Sequence, residues 1–348
     1  MAEQAVFPEK VSSGAKIVFI LLAGALSMFF AEVCSGSSVL WFLTPWAWIV
    51  TFWLYLAHTV FFINLALYFR RTSLTALYLW GVLFGLYESW ITKVAWAGYA
   101  GQAPGIGTFL GFAIPEFPII TFFWHPVFSF ILPMLAFQAL SGRVLPGHLQ
   151  VLIKSRRNWI LSALVVILGS AILAFNSKSN LVATVVTALG SFALIGALYL
   201  IASKRYGKQF SIESLRLGKA GMTLLLIYLA ALYILTFIFI LPERTAPPLT
   251  ILLTLGVYAA IILLLYLKKP DAVEHSVMPD GKSIFGPGEL TILAVTFTIM
   301  GALFCLVPTA DHILTPVLYF GLVLLSPALL LWAVVNVVRF RQKTKAAV

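Results

Sequence analysis

Residues 181–202 read LVATVVTALGSFALIGALYLIA, a run without one charged side chain, and Lys204 and Arg205 follow it at once. A hydrocarbon core of about 30 Å takes about 20 apolar residues in helical form. The run has the length and character of a membrane span closed by basic residues. Working outward along the chain, nine further stretches have the same character: 15–34, 44–69, 73–97, 118–140, 157–176, 218–241, 248–267, 289–308 and 313–338. Composition agrees. The 348 residues are 61% apolar and 10% charged, with a mean hydropathy of +1.01, whereas a soluble fold carries about 25% charged residues. No period-two alternation points to a barrel. The expected fold is an all-α, polytopic integral membrane protein of about ten transmembrane helices.

The formal charge of +11 is explained by topology and needs no nucleic acid. With the N-terminus inside, the inner segments hold Lys10, Lys16, Arg70, Arg71, Arg143, Lys154, Arg156, Arg157, Lys204, Arg205, Lys208, Arg216, Lys219, Lys268, Lys269, Lys282, Arg339, Arg341, Lys343 and Lys345. That is 20 of the 23 Lys and Arg; the outer loops keep Lys178 and Arg244, and Lys93 falls inside a span. Such asymmetry orients both termini to the cytoplasm, and the expected setting is the lipid bilayer of the cytoplasmic membrane. Lys16 before an apolar run resembles a signal peptide, but the run is long and lacks a small-residue cleavage site, so it reads as a retained span. Cys34 and Cys305 exclude a disulfide-dense scaffold and read as two packed thiols.

The chain changes character near residue 142. Residues 1–142 form spans one to four and contain eight of the ten tryptophans. Residues 143–348 form spans five to ten, an apolar scaffold without a visible internal repeat. Between spans three and four, residues 98–117 read GYAGQAPGIGTFLGFAIPEF. Five glycines, Pro104 and Pro115 disfavour a continuous helix there, so the segment reads as an outer lid, a re-entrant segment or a flexible outer loop.

An ionised group at the centre of a span costs about 2.5–3.5 kcal/mol. Glu32, His58, Glu88, Lys93 and His125 are therefore candidates, with Glu116 just before span four. Glu88 lies about 14 Å and His125 about 10 Å from the expected outer edge at about 1.5 Å per residue. Gly81, Gly85, Glu88 and Thr92 share one helical face, and Gly81-xxx-Gly85 permits close helix approach. Thr121, His125 and Ser129 form a polar stripe on span four. Pro126 removes the hydrogen bond to the Phe122 carbonyl, which predicts a kink and a free acceptor beside the histidine. Glu32, Glu116, Lys93 and His58 also have plain readings as interfacial, snorkelling or packing residues. The expected site is one polar pocket in the outer half of spans one to four.

Glu88-Ser-Trp-Ile-Thr-Lys93, followed by His125-Pro-Val-Phe-Ser129, resembles the motif order of the CAAX-protease and bacteriocin-processing membrane family over about residues 80–130. Ser89 stands where that pattern has a second glutamate, and Ser129 where Asn or Asp is common. The resemblance implies that Glu88 and His125 activate water for peptide hydrolysis, with Lys93 at the arginine position.

Three functions fit the residues. One is an intramembrane hydrolase with Glu88 as base, His125 as acid and Lys93 as electrostatic support, acting on a membrane peptide or small molecule. Another is a secondary transporter or proton-coupled permease with Glu88 and His58 as relay groups. The third is a non-catalytic membrane assembly subunit. His58, Glu32, Glu116, Thr92 and Ser129 would support the site. A thiol enzyme at Cys34 with His125 as base is a further reading, disfavoured by Glu32 beside it. HExxH, P-loop and dinucleotide-binding patterns are missing, so no metal or cofactor is expected. Oligomeric state is not legible in the sequence.

Overall fold

The computed structural model of the chain describes residues 11–272, 275–279 and 283–345. Lys10 and Lys282 of the charge pattern lie outside them. The described chain is all-α apart from one short hairpin.

Helix α1 (Ser13–Met28) starts where the Ser12 hydroxyl accepts the Ala15 N–H at 3.3 Å, a side-chain cap for an otherwise unpaired donor. A π-helical turn carries it to Val33. Another such turn (Ala47–Thr51) leads into α2 (Phe52–Tyr68). Next come α3 (Leu74–Gly85), α4 (Tyr87–Trp90), α5 (Val94–Ala97), the hairpin β1 (Gly107–Phe109) and β2 (Phe112–Ile114), and α6 (Glu116–Ile119). A π-helix (Ile120–Ile131) runs on into α7 (Leu132–Ser141). After the short α8 (Leu149–Leu152) follow α9 (Arg156–Asn176), α10 (Leu181–Tyr206), α11 (Lys219–Phe239), α12 (Pro248–Leu267), α13 (Pro287–Leu306) and α14 (Pro308–Lys345).

Nine helices among the described residues are long and apolar enough to cross a membrane. They correspond to nine of the ten expected spans. The stretch at 73–97 is the difference. It is broken into α3, α4 and α5, with Lys93 in the left-handed region at φ 60°. The twelve residues of α3 extend about 18 Å, short of a bilayer core. Backbone groups freed by the breaks are met by protein. The Val94 N–H reaches the Thr92 hydroxyl at 3.3 Å, and Arg244 donates to the carbonyls of Ala97 and Gly98. Irregular backbone at membrane depth requires such partners.

The chain forms two compact units, each drawn from three stretches: Met1–Val60, Leu132–Arg216 and Val273–Leu318 in the first; Phe61–Ile131, Leu217–Ala272 and Tyr319–Val348 in the second. In the first unit, α1 packs on α7 and α10, and α13 on α9 and α10. Phe210 stacks on Phe19 and meets the edge of Phe137, both at 5.0 Å between ring centres. Both cysteines are free and buried there, with Cys305 against the Thr184 hydroxyl. In the second unit, α3 lies along the π-helix and α5 packs on β2. The Gly-rich segment is neither helical nor featureless. Leu110 (φ 52°) and Gly111 (φ 80°) turn β1 back on β2 with Phe109 opposite Phe112, a turn with two positive φ angles that suits strand twist. Thr250 fixes its tip by donating to the Leu110 carbonyl at 3.0 Å.

Candidate functional site

Two glycines set the geometry. A Cβ on Gly81 would stand 2.5 Å from Pro126 Cα, and one on Gly85 would stand 3.0 Å from His125 Cβ. Glycine at both positions lets α3 approach the backbone of the π-helix closely. With His125 seated against Gly85, its imidazole reaches Glu88 in α4, the short helix that follows the break at Leu86. Pro126 lies inside the π-helix rather than at a simple kink. The Phe122 carbonyl, the acceptor a proline leaves open in an α-helix, takes the Tyr78 hydroxyl at 2.8 Å.

Four side chains then form one hydrogen-bonded chain. His125 Nε2 and Glu88 Oε1 are 3.0 Å apart, and His125 Nδ1 and Ser129 Oγ are 2.8 Å apart. The Thr92 hydroxyl donates to the other Glu88 oxygen, and the Tyr87 side chain is a further hydrogen-bond partner of the carboxylate. Glu88, His125 and Ser129 are all buried. Phe84 stacks on the imidazole at 5.5 Å and Tyr87 meets it edge-on at 4.9 Å, so aromatic faces shield the pair. A proton moved between Nε2 and Oε1 leaves the net charge of the pair unchanged. Buried together, neither group is left as an uncompensated charge.

The other expected residues have partners of their own. Lys93 is fully buried, and its ammonium donates to the carbonyls of Phe237 (3.1 Å) and Ile240, at the C-terminal end of α11. A cation there meets unpaired carbonyls and the negative end of the helix dipole. Glu116 is buried. Its Oε1 accepts the Gly105 N–H at 2.9 Å, which ties the Gly-rich segment to α6, while Oε2 has no protein partner. Glu32 and His58 belong to the first unit. Glu32 accepts from Tyr55 (2.6 Å) and Ser38 (2.5 Å); His58 Nδ1 meets the Leu54 carbonyl at 2.8 Å. Cys34, in the same unit, is packed over Gly169.

Sequence reading missed Tyr78, Phe84 and Tyr87 as parts of the site. Tyr78 had a signal: with Gly81 and Gly85 it follows i, i+3, i+7 spacing on one face. Tyr87 had only its place beside Glu88. Among the described residues, no group of three or more His, Cys, Asp or Glu is placed to hold a metal.

A membrane protein family model matches residues 21–343, nearly the whole chain. The chain belongs to this uncharacterized membrane protein family. It is also 40% identical over 124 residues to an uncharacterized protein of Archaeoglobus fulgidus, a match covering 34% of this chain and 37% of that relative. The matched part therefore spans well under half of the relative's length. No solved structure matches the chain.

Proposed function

We propose that this multi-pass membrane protein is a proton-coupled permease of the cytoplasmic membrane, with the Glu88–His125 pair as its proton-holding group and Ser129 as the next link. The observation that carries the reading is the 3.0 Å contact between Glu88 Oε1 and His125 Nε2 inside a buried chain whose remaining polar atoms also have partners. Chains of Glu and His within a membrane mark proton relays, and inside this pair the proton can shift between carboxylate and imidazole without a change of net charge. Hydrolysis asks instead for a carboxylate oxygen turned to water. The test is reconstitution of wild type and Glu88→Gln in liposomes under an imposed pH gradient. Uptake from a small-metabolite mixture is read together with lumenal pH. Wild-type uptake that follows the gradient and falls at least about a hundredfold in the variant supports the proposal. Gradient-independent uptake, or an unaffected variant, overturns it.

One observation favours a second reading. Ser129, His125 and Glu88 stand in hydrogen-bonding order as nucleophile, base and acid do in a serine hydrolase. The resemblance to the CAAX-protease and bacteriocin-processing family points to hydrolysis as well, through water activated by Glu88. Labelling of Ser129 by a fluorophosphonate, or cleavage of a membrane-peptide library that stops in Glu88→Gln, would put an intramembrane hydrolase in place of the permease.

A further inference from the structure

The first unit contains a cavity of about 660 Å³ walled by α1, α7, α9, α10 and α13, within the range of about 300–1,000 Å³ typical of ligand pockets. Its deep part is apolar, with Phe29, Cys34, Val166, Leu189 and Phe192 on the wall. Along α10 it extends from Leu189 to Tyr199, about 15 Å at the helical rise, or half the hydrocarbon thickness of a bilayer. That is the depth of one leaflet.

The other end is polar. Asn158 lines the cavity and is nine-tenths buried or more. Its Nδ2 donates to the carbonyls of Gln150 (2.8 Å) and Ile153 (2.9 Å), which fixes the orientation of the amide, and Oδ1 is buried without a protein partner. A buried acceptor of this kind calls for a donor. Arg156 and Arg157 precede it, both exposed in the first turn of α9. Lys154 is already paired with Glu289 at 2.6 Å, whereas both arginines are exposed and lie within two residues of Asn158. Ser162 continues the polar strip one turn further along α9.

We infer that this cavity binds one phospholipid of the surrounding bilayer, with an acyl chain against the apolar wall that α10 and α13 share, a headgroup hydroxyl donating to Asn158 Oδ1 and the phosphate facing Arg156 and Arg157. The charge at one end, the unmet acceptor and the single-leaflet depth each match a different part of that molecule. The site is independent of the proton reading, which rests on residues of the second unit.

The test uses full-length protein in nanodiscs of phosphatidylglycerol, phosphatidylcholine and phosphatidic acid in equal parts, followed by extraction into mild detergent and native mass spectrometry. Wild type keeps one phosphatidylglycerol per chain. Gly196 lines the cavity and an added Cβ there meets nothing within 4 Å, so Gly196→Phe puts a ring where the lipid would lie and lowers retention about tenfold or more. Gly256→Phe on α12, also open, leaves it unchanged. Asn158→Leu lowers the preference for phosphatidylglycerol over phosphatidic acid up to about tenfold, the scale of one buried hydrogen bond. Arg156→Gln with Arg157→Gln lowers the preference over phosphatidylcholine. Because Asn158 also supports two carbonyls, Gly196→Phe is the decisive variant should Asn158→Leu fail to fold. Retention of lipid without headgroup preference, or equal retention by Gly196→Phe and wild type, is annular lipid and overturns the inference.

Discussion

Helix α11 and the segment from α3 to α5 have much the same raw material. Both are strongly apolar, and both are long enough on paper to cross a bilayer. One is unbroken from Lys219 to Phe239 and buries only Leu229 and Thr236; the other is broken twice and buries every residue from Ala76 to Gly85. The difference lies in what surrounds them. A helix facing lipid must satisfy its backbone internally, and even the Thr236 hydroxyl of α11 turns back to the Leu232 carbonyl at 2.6 Å. A segment enclosed by protein is free of that demand. Its breaks at Leu86 and Lys93 are tolerated because Thr92 and Arg244 supply partners. The buried acid Glu88 is on the enclosed segment, and the lipid-facing helix has no acidic residue between Lys219 and Phe239.

Substitutions can break this contrast at several strengths. The largest effect is expected of His125→Leu, which strands Glu88 in a dry contact and costs about 3–5 kcal/mol. Thermal unfolding in detergent reads it, and adding Glu88→Leu to the same chain should recover much of the loss. Gly81→Leu comes next. Its Cβ would collide with Pro126, so about 3 kcal/mol is expected, against about 0.5 kcal/mol or less for Gly256→Leu on open α12. Lys93→Met removes a charged donor from the carbonyls at the end of α11 and should cost about 1.5–3 kcal/mol. An unchanged melting temperature would mean that this cap is not supporting the broken segment. Smallest of all, Leu226→Ser on the exposed side of α11 should change detergent stability by about 0.5 kcal/mol or less. A loss of several kcal/mol there would show that α11 is enclosed like α3.

The same contrast explains what was legible in the sequence. Long apolar runs such as 181–202 announce themselves because lipid leaves a helix no alternative. The run at 73–97 has equal hydropathy, but hydropathy does not register partners such as Arg244, about 150 residues away in sequence, that make a break affordable. The meeting of Glu88 and His125 was foreshadowed by Gly81-xxx-Gly85 opposite a proline-containing helix. Nothing local to Lys93 announces that the carbonyls of Phe237 and Ile240 are its partners, so the sequence alone leaves it a snorkelling or supporting cation. The hairpin at 107–114 lacks the usual Asn-Gly turn signal. It rests on Leu110 accepting a positive φ and on Thr250 fixing the tip, neither of which a periodicity shows.

The central claim is that Glu88 and His125 hold a proton in common within the membrane. Infrared difference spectroscopy of the reconstituted protein, titrated across the pH range in which it stays folded, tests this directly. The account predicts that a carboxyl band and the imidazole ring modes change together, in one transition, and that this coupled change is lost in Glu88→Gln. Separate transitions for the two groups, or a carboxyl band unaffected by Glu88→Gln, would contradict it.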